Sequence, residues 1–488
     1  MSLDHSFDWK AFTFSAKILL VCVVAGVLGH FSLLYAARSN AAPVQSPSLI
    51  LIQETHPAPR TSSLALSTTT SQRIINTLSI SDAVPPVGKF VAADLITMVL
   101  TLYQDGIAIA KYPILTKGKP DSPYETPAGF YTVLTKEPDH FNAGEQIHMP
   151  WSMQFYGNYF IHGWPYFGNG SPVNSSYSGG CIRLNTDDAE KVYSFVDKGT
   201  GIFVYDPIRT VSTPSLVLGT TPAPAVSAAS YLVADIDTGD VFLEQNAGDT
   251  RSIASVTKLM TALVANETIM FYKKIAVTRA EISHTQPKVP GAKEMFPVGE
   301  LLYPLLMESN NAVADRLSEY YGAAGFINWM NATAKALDMQ STHFADASGI
   351  SSENVSTTDD LFRLATYLAN KKTFIFDITR TPTKKLISES GNVYPVENFN
   401  VFSDSANFIG GKVGKTAAAA DTMVSVFSVP INGVARRVVI VVLKSDNYTT
   451  DTTALADWFT ESVQEGATMS ATACVTCAPP PVYRKIQQ

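Results

Sequence analysis

The stretch SGGCIRLN, residues 178–185, sets a thiol behind two glycines and two residues ahead of an arginine. Cys181 is the single cysteine between Cys22 and Cys474 in a chain of 488 residues. A thiol attacks as thiolate, so a nucleophilic cysteine needs a base or a positive field nearby. The surrounding segment offers His140, His148 and His162. His162, in FIHGWP, ends a predicted strand just before a Gly–Trp–Pro turn, a place where a side chain is rigidly aimed. The small residues of SGGC let backbone N–H groups approach a substrate carbonyl. One cysteine with one histidine is a weak signal alone, because buried inert cysteines are common.

Outward from this stretch the texture is that of strands and turns. FVAADLITMVLTLYQDGIAIAKYPILT has short apolar runs broken by QDG, a hairpin signal. ETPAGFYTVLT and YFIHGWP continue the pattern. NTDDAEKVYSFVDKG predicts one short helix with Asn185 or Thr186 as N-cap, a basic last turn and Gly199 after it. TGIFVYD closes a mostly β domain over 88–206. Residues 207–228 have the Pro, Thr and Ser content of a linker.

A second domain, 229–465, opens with SYLVADIDTGDVFLEQN, two strands joined by a turn at 237–239. Helical patterns follow in SVTKLMTALVANE, LLYPLLMESNNAVADRLSEYYG, FINWMNATAKALDM and TTDDLFRLATYLANKK. Strands return at DTMVSVFSV and RRVVIVVLK, before a last helix in DTTALADWFTESVQ. Strands at both ends with helices between predict an α+β domain whose sheet is closed by chain-distant strands. The reading is therefore multidomain.

The flanks point to export. Residues 18–37 form a mostly apolar run of about 20 residues, long enough to span a bilayer. Lys10 and Lys17 precede it and favour residues 1–17 as a cytoplasmic N-terminus, with the rest of the chain outside the cytoplasmic membrane. SNAA, residues 39–42, offers a cleavage site and hence the alternative of a removed signal peptide. Either way the expected location is the cell envelope. Residues 38–87 predict a Ser/Thr/Pro-rich stalk, with a short helix near 71–78, and 466–488 a disordered tail. In an oxidising compartment Cys474 and Cys477 of CVTC pair with each other or stay idle, which leaves Cys181 as the odd thiol. A formal charge of −7 and no long basic run give no electrostatic case for nucleic acid. No metal or organic cofactor is implied.

The pieces LTLYQDGIAIAKYPILTKGKP, TPAGFYTV, FIHG and SGGCIRLN, in that order and spacing, resemble the L,D-transpeptidase catalytic domain of the YkuD type. The resemblance implies Cys181 as nucleophile and His162 as base. It places Gly163, Ser178, Gly180 and Arg183 in the surrounding motif, with Arg183 either binding a stem carboxylate or bracing the loop. Many members have His where this chain has Gly179. The implied reaction is acyl transfer between peptidoglycan stem peptides: Cys181 attacks the third residue of a tetrapeptide, expels D-Ala, and an amine on a neighbouring stem resolves the thioester.

SVTK, residues 255–258, places Ser255 and Lys258 on one helical face, where a desolvated amine can serve as base. Ser309 and Asn311 in SNN, and Lys412 with Gly414 in GKVGKT just before a strand, complete the Ser-x-x-Lys, Ser-x-Asn, Lys-x-Gly constellation of penicillin-binding proteins and β-lactamases. DIDTGDVFLEQNA, SIASVTKLMTALVA and THFADASGISSENVSTTDDL then resemble low-molecular-weight D-alanyl-D-alanine carboxypeptidases. The resemblance implies Ser255 as nucleophile, Lys258 as its base and Ser309 as proton relay. It implies Asn311 on the substrate amide and Lys412 on the terminal carboxylate, with Thr416 matching a later family Thr and β-lactams as inhibitors. Val413 stands where the family has Thr, and 415–417 is a shifted alternative without the glycine. Losing one hydrogen bond to a carboxylate costs about 1.5–3 kcal/mol. The expectation is thus a coupled two-enzyme protein acting on stem peptides. The alternative is an active transpeptidase with a weak stem-binding or β-lactamase-like second domain.

Overall fold

The computed structural model describes residues 71–72, 79–207, 216–282 and 293–465. The expected membrane span, most of the stalk, the tail, Cys22, Cys474 and Cys477 lie outside these residues. Among the described residues no helix is long and apolar enough to cross a membrane. The described residues belong to one compact unit.

The first domain is built on two five-stranded sheets. Its strands are β1 (Lys89–Asp94), β2 (Val99–Gln104), β3 (Ile107–Pro113), β4 (Gly129–Thr132), β5 (Thr135–Asn142), β6 (Ile147–Tyr156), β7 (Tyr159–His162), β8 (Tyr166–Phe167), β9 (Ile182–Arg183) and β10 (Gly201–Tyr205). One sheet runs β3-β2-β1-β10-β4 and the other β9-β7-β6-β5, with β8 also on β6. The QDG turn is a two-residue hairpin loop with Asp105 and Gly106 both at positive φ, the geometry that matches strand twist. Val91, Leu102 and Val204 from one sheet share a core with Phe155, Ile161 and Ile182 from the other. Helix α1 (Thr186–Phe195) is capped by Asn185, whose side chain accepts from the Asp187 N–H at 3.1 Å. Its last turn carries no basic residue, contrary to expectation. Val196 is fully buried in extended backbone, so the helix stops before Lys198.

In the second domain, β11 (Ser230–Asp235), β12 (Asp240–Gln245), β13 (Phe408–Thr416), β14 (Ala420–Ile431) and β15 (Val434–Ser445) form an antiparallel sheet of order β12-β11-β15-β14-β13. Ser71 and Gln72, expected in a helix, instead add a short strand beside β12. The sheet has a core on each face because strand side chains alternate. Val439 and Val441 face the main helical core, while Val438 and Ile440 face a second cluster with Trp458 and Phe459.

The helices are α2 (Thr257–Thr268), α3 (Val298–Met307), α4 (Asn311–Glu319), α5 (Ala323–Ala336), α6 (Thr358–Lys371), α7 (Thr373–Thr379) and α8 (Tyr448–Ser462). Every residue of α2 is buried, which makes it the axis of the domain. The run expected as one helix from Leu301 to Gly322 is two, α3 and α4, because Ser309 sits at φ 57° and breaks the helical hydrogen-bond ladder. Residues 207–228 are not a tether throughout. Leu216–Leu218 pairs with Val463–Glu465, and the Ser227 hydroxyl donates to Asp451 at 2.7 Å.

The two domains meet over a polar and aromatic interface. Asn158 Nδ2 donates to the Thr268 carbonyl at 2.7 Å, Asn266 Nδ2 to the Pro123 carbonyl at 3.0 Å, and the Tyr156 hydroxyl to Glu267 at 3.2 Å. Tyr156 also packs edge-on against Trp329. Lys371 lies 2.9 Å from Asp206 and 3.7 Å from Glu125, and Lys372 donates to the Glu125 carbonyl at 3.2 Å. Burial pushes the Glu125 carboxyl up to about 7; the two lysines oppose the shift and Asp206 adds to it. A raised carboxyl contributes stability that is complete below its unfolded pKa near 4.5 and lost as pH rises through about 7. Glu125→Gln is therefore expected to shrink the fall in Tm between pH 5 and pH 8 by at least about 2 °C in thermal scans. An unchanged fall would show that Glu125 titrates normally.

Two candidate active sites

Ser255 occupies a single 3₁₀ turn, Ala254–Val256, immediately before α2. Lys258, one turn on, is fully buried. Its Nζ donates to Ser255 Oγ at 3.0 Å, to Asn311 Oδ1 at 2.7 Å and to the Ser348 carbonyl. Burial brings its ammonium down to about 7, against the pull of the Asp346 and Asp315 charges. An amine that is about half neutral at pH 7 and touches a hydroxyl is placed where a general base could act. Asp346 orders the loop that presents the Ser348 carbonyl: it accepts from the Ser348 N–H at 2.8 Å and the Ser351 N–H at 2.6 Å. Sequence reasoning gave Asp346 no role, although it sits inside the quoted THFADASGI.

Ser309, in its left-handed turn, faces Lys412, whose Nζ donates to Ser309 Oγ at 3.0 Å. Lys412 lies inside β13 rather than ahead of a strand. It is buried, and both burial and the Lys258 charge pull its ammonium well below the usual lysine range. Strand alternation puts Lys412, Gly414 and Thr416 on one face and Val413 on the other. Val413 packs against the cluster containing Met423 and Phe427, so its missing hydroxyl is not withdrawn from the Lys412 face. The hydroxyl on that face is Thr416, which also accepts from the Ala419 N–H at 3.1 Å. Lys415, the shifted alternative, is exposed and ion-paired to Asp421 at 2.7 Å. Gly414 is required by close approach, since a Cβ there would lie 2.9 Å from the Ser255 nitrogen.

Cys181 lies just before β9, which runs parallel to β7 with Ile182 opposite Ile161 and Arg183 opposite His162. That register brings Cys181, Arg183 and His162 to one face, diagonal neighbours on adjacent strands. His162 is 1% exposed, and its Nδ1 donates to the Gly163 carbonyl at 2.6 Å. A carbonyl only accepts, so Nδ1 carries the proton and Nε2 is left as the basic nitrogen. Burial takes the imidazolium down to about 3, with help from the Arg183 and His140 charges, so the ring is neutral at pH 7. Burial also lifts the Cys181 thiol to about 11, against the Phe160 N–H and the Arg183 charge, which favour thiolate.

Ser178 staples the turn before the thiol, donating to the Cys181 carbonyl at 2.5 Å and accepting from the Gly180 N–H at 3.0 Å. Gly180, at φ 113°, lies under the Tyr159 ring, where a Cβ would be 2.2 Å away. Gly163 is likewise packed against Thr186. At Gly179 the nearest atom to an added Cβ is a Glu145 carboxylate oxygen at 3.7 Å, so the position has room for a side chain. Arg183 braces the Tyr177 carbonyl at 3.4 Å and lies over the Trp164 ring, while its buried Nε has no hydrogen-bond partner. The cavity around the thiol has a volume of about 60 Å³. Its walls include Glu145 and Tyr159 of the first domain and Asn266, Met270 and Tyr272 of the second. None of these wall residues carries a motif.

The family models divide the chain where the two sites do. The L,D-transpeptidase catalytic domain matches residues 88–208 and D-alanyl-D-alanine carboxypeptidase matches 218–447. Residues of the second domain are 32% identical to the D-alanyl-D-alanine endopeptidase of Escherichia coli over 218 residues, covering 42% of this chain and 68% of that protein. They are 32% identical to a D-alanyl-D-alanine carboxypeptidase of Mycobacterium tuberculosis over 219 residues, 42% of this chain and 72% of that one. With the D-alanyl-D-alanine endopeptidase of Haemophilus influenzae the identity is 42% over 153 residues, 30% of this chain and about half, 51%, of the relative. Among solved structures, a D-alanyl-D-alanine carboxypeptidase from M. tuberculosis is similar at 27% identity and a TM-score of 0.44, covering 51% of this chain and 95% of that one. The chain belongs to the D-alanyl-D-alanine carboxypeptidase family and carries an L,D-transpeptidase catalytic domain ahead of that region.

Proposed function

We propose that the protein is a peptidoglycan-remodelling enzyme of the cell envelope with two nucleophiles, a serine D-Ala-D-Ala carboxypeptidase and a cysteine L,D-transpeptidase. The observation that carries the reading is the buried Lys258 amine 3.0 Å from Ser255 Oγ, with Lys412 equally close to Ser309. Lys258 Nζ takes the Ser255 proton as Oγ adds to the carbonyl of the penultimate D-Ala of a pentapeptide. The Gly411 N–H points away from β14, to Thr379 Oγ1 at 2.9 Å, so alternation turns the Lys415 N–H the same way, beside Ser255. The Ser255 and Lys415 N–H groups then hold the oxyanion. The terminal D-Ala leaves as its nitrogen takes a proton relayed through Ser309, and water hydrolyses the ester. Asn311 holds the substrate amide, and Lys412 and Thr416 face its carboxylate.

At the second nucleophile, the Cys181 thiol passes its proton to His162 Nε2 and the sulfur adds to the third-residue carbonyl of a tetrapeptide. D-Ala departs with the proton from His162, and an amine of a neighbouring stem displaces the sulfur. The product of the serine site is the donor of the cysteine site. Helix α2, twelve residues and so about 18 Å long, runs from Lys258 at one end to the wall of the thiol cavity at the other. Proximity thus comes from packing.

Mass spectrometry of muropeptides incubated with the full-length protein is expected to report both D-Ala release from pentapeptides and cross-linking of tetrapeptides. Intact pentapeptides would sink the serine half of the reading, and unreacted tetrapeptides the cysteine half. Fluorescent penicillin should leave a persistent label on Ser255; rapid loss of that label with turnover of the drug would make the second domain β-lactamase-like.

A further inference from the structure

A volume of about 60 Å³ beside Cys181 is far below the roughly 300–1,000 Å³ of sites that enclose organic ligands. A cleft of about 390 Å³ lies on the far side of Pro123, Phe271 and Tyr272, three residues that line both spaces. Its remaining walls are contributed by the second domain and include Tyr303 and Phe374, with the carboxylates of Glu300 and Asp377. The thiol cavity is lined by charges of both signs, the Arg183 guanidinium, whose Nε has no hydrogen-bond partner, and the carboxylates of Glu145 and Glu267, whereas the charged groups lining the cleft are carboxylates, Glu300 paired to Lys384 at 3.4 Å and Asp377 to Arg380 at 2.8 Å. Such pairs exchange readily for another cation.

Tyr272 is the partition. Its ring lies so close to Gly144, in the turn between β5 and β6, that a Cβ there would sit 2.9 Å from it. Its hydroxyl donates to Met270 Sδ at 3.0 Å and also engages Asn142, and the same turn carries Glu145 into the thiol cavity. The backbone beneath it is fixed to α3: the Gly299 N–H donates to the Phe271 carbonyl and the Val298 N–H to the Lys273 carbonyl, each at 2.9 Å. Phe271 is held edge-on by Tyr124 and Phe374. Tyr272 is thus a side chain shared by the two spaces, on a main chain fixed by hydrogen bonds to α3.

We propose that this cleft is the acceptor site of the cysteine reaction: it binds a stem peptide through its free ammonium group, which gives one proton to solvent and passes Tyr272 as the neutral amine to the thioester on Cys181, its second proton going by way of His162 to the departing sulfur. The assignment rests on the transpeptidase reading. It follows from the chemistry of the cleft, whose carboxylates suit the acceptor's cationic amine, while Arg183 is the cation the thiol cavity offers the donor's carboxylate. The second domain then supplies specificity-determining residues, Glu300 and Tyr303, to a reaction whose nucleophile lies in the first.

The test is calorimetric binding of a synthetic stem tetrapeptide with a free side-chain amine to full-length Cys181→Ala protein whose Ser255 has been acylated with penicillin. Glu300→Gln and Tyr303→Ala are each expected to weaken binding at least 5-fold. N-acetylation of the amine should weaken binding to the parent equally and have no further effect on Glu300→Gln. Penicillin labelling reports whether each variant is folded, and Glu300→Gln carries the test if Tyr303→Ala is not. Binding that is absent, indifferent to Glu300→Gln, or reproduced by a peptide-free disaccharide would overturn the proposal. Because nothing turns over, it survives or fails separately from the activity. In the active protein the same variants should raise the acceptor KM and leave D-Ala release from tetrapeptide donors by Cys181 within 2-fold.

Discussion

Pentapeptides incubated with Ser255→Ala protein are expected to keep their terminal D-Ala, and the protein to take no covalent penicillin label. Lys258→Met should come close to the same result, slowing acylation of Ser255 by about 10²–10⁴-fold, the range associated with losing a positioned general base. Methionine fills the buried volume but leaves Ser255 Oγ with no proton acceptor at 3.0 Å. In the parent protein the acylation rate should climb with pH through about 7, because the reactive species is the neutral amine and burial brings Lys258 to that value. Stopped-flow acylation across pH 5–9 checks the sign: a rate that falls with rising pH would exclude Lys258 as the base. Pentapeptide-only wall material adds a test of coupling. There Ser255→Ala should also remove the L,D cross-links, and cross-links that persisted would mean that the cysteine site does not depend on its neighbour for donors.

The second large effect belongs to Cys181. Cys181→Ala should abolish L,D cross-linking of tetrapeptides while pentapeptide trimming continues, and His162→Gln should slow cross-linking by about 10²–10⁴-fold. The thiol rests protonated and the imidazole neutral, so the proton has to move during attack rather than before it. A consequence is slow alkylation of the resting thiol at pH 7.5. Rapid labelling of Cys181 by iodoacetamide under those conditions would contradict the buried, neutral pair described above.

Much of the grouping of residues in both candidate sites was legible because short motifs mark them. Cys181 and His162 stand out as a lone thiol and a turn-bound imidazole, and Ser255 to Lys258 needs only one helical turn. What escaped depended on contacts remote in sequence. Ser309 breaks a helix through its own φ, yet its apolar neighbours keep helical periodicity on both sides. The segment at 216–218 reads as linker by composition but finds a strand partner some 245 residues later. Val413 looked like a lost hydroxyl in the site until strand alternation turned it away. The thiol-cavity wall from Asn266 to Tyr272 has no signature at all, since its residues matter only for where the first domain packs.

That packing bears on how the chain is cut. A fragment ending at residue 208 would keep the whole L,D-transpeptidase match and still lose one wall of the cavity around Cys181. It would expose Tyr156 and Asn158, whose partners Glu267 and Thr268 sit on the deleted side. Kinetics from such a fragment would describe an open, solvated thiol, a different reagent from the one the intact protein holds.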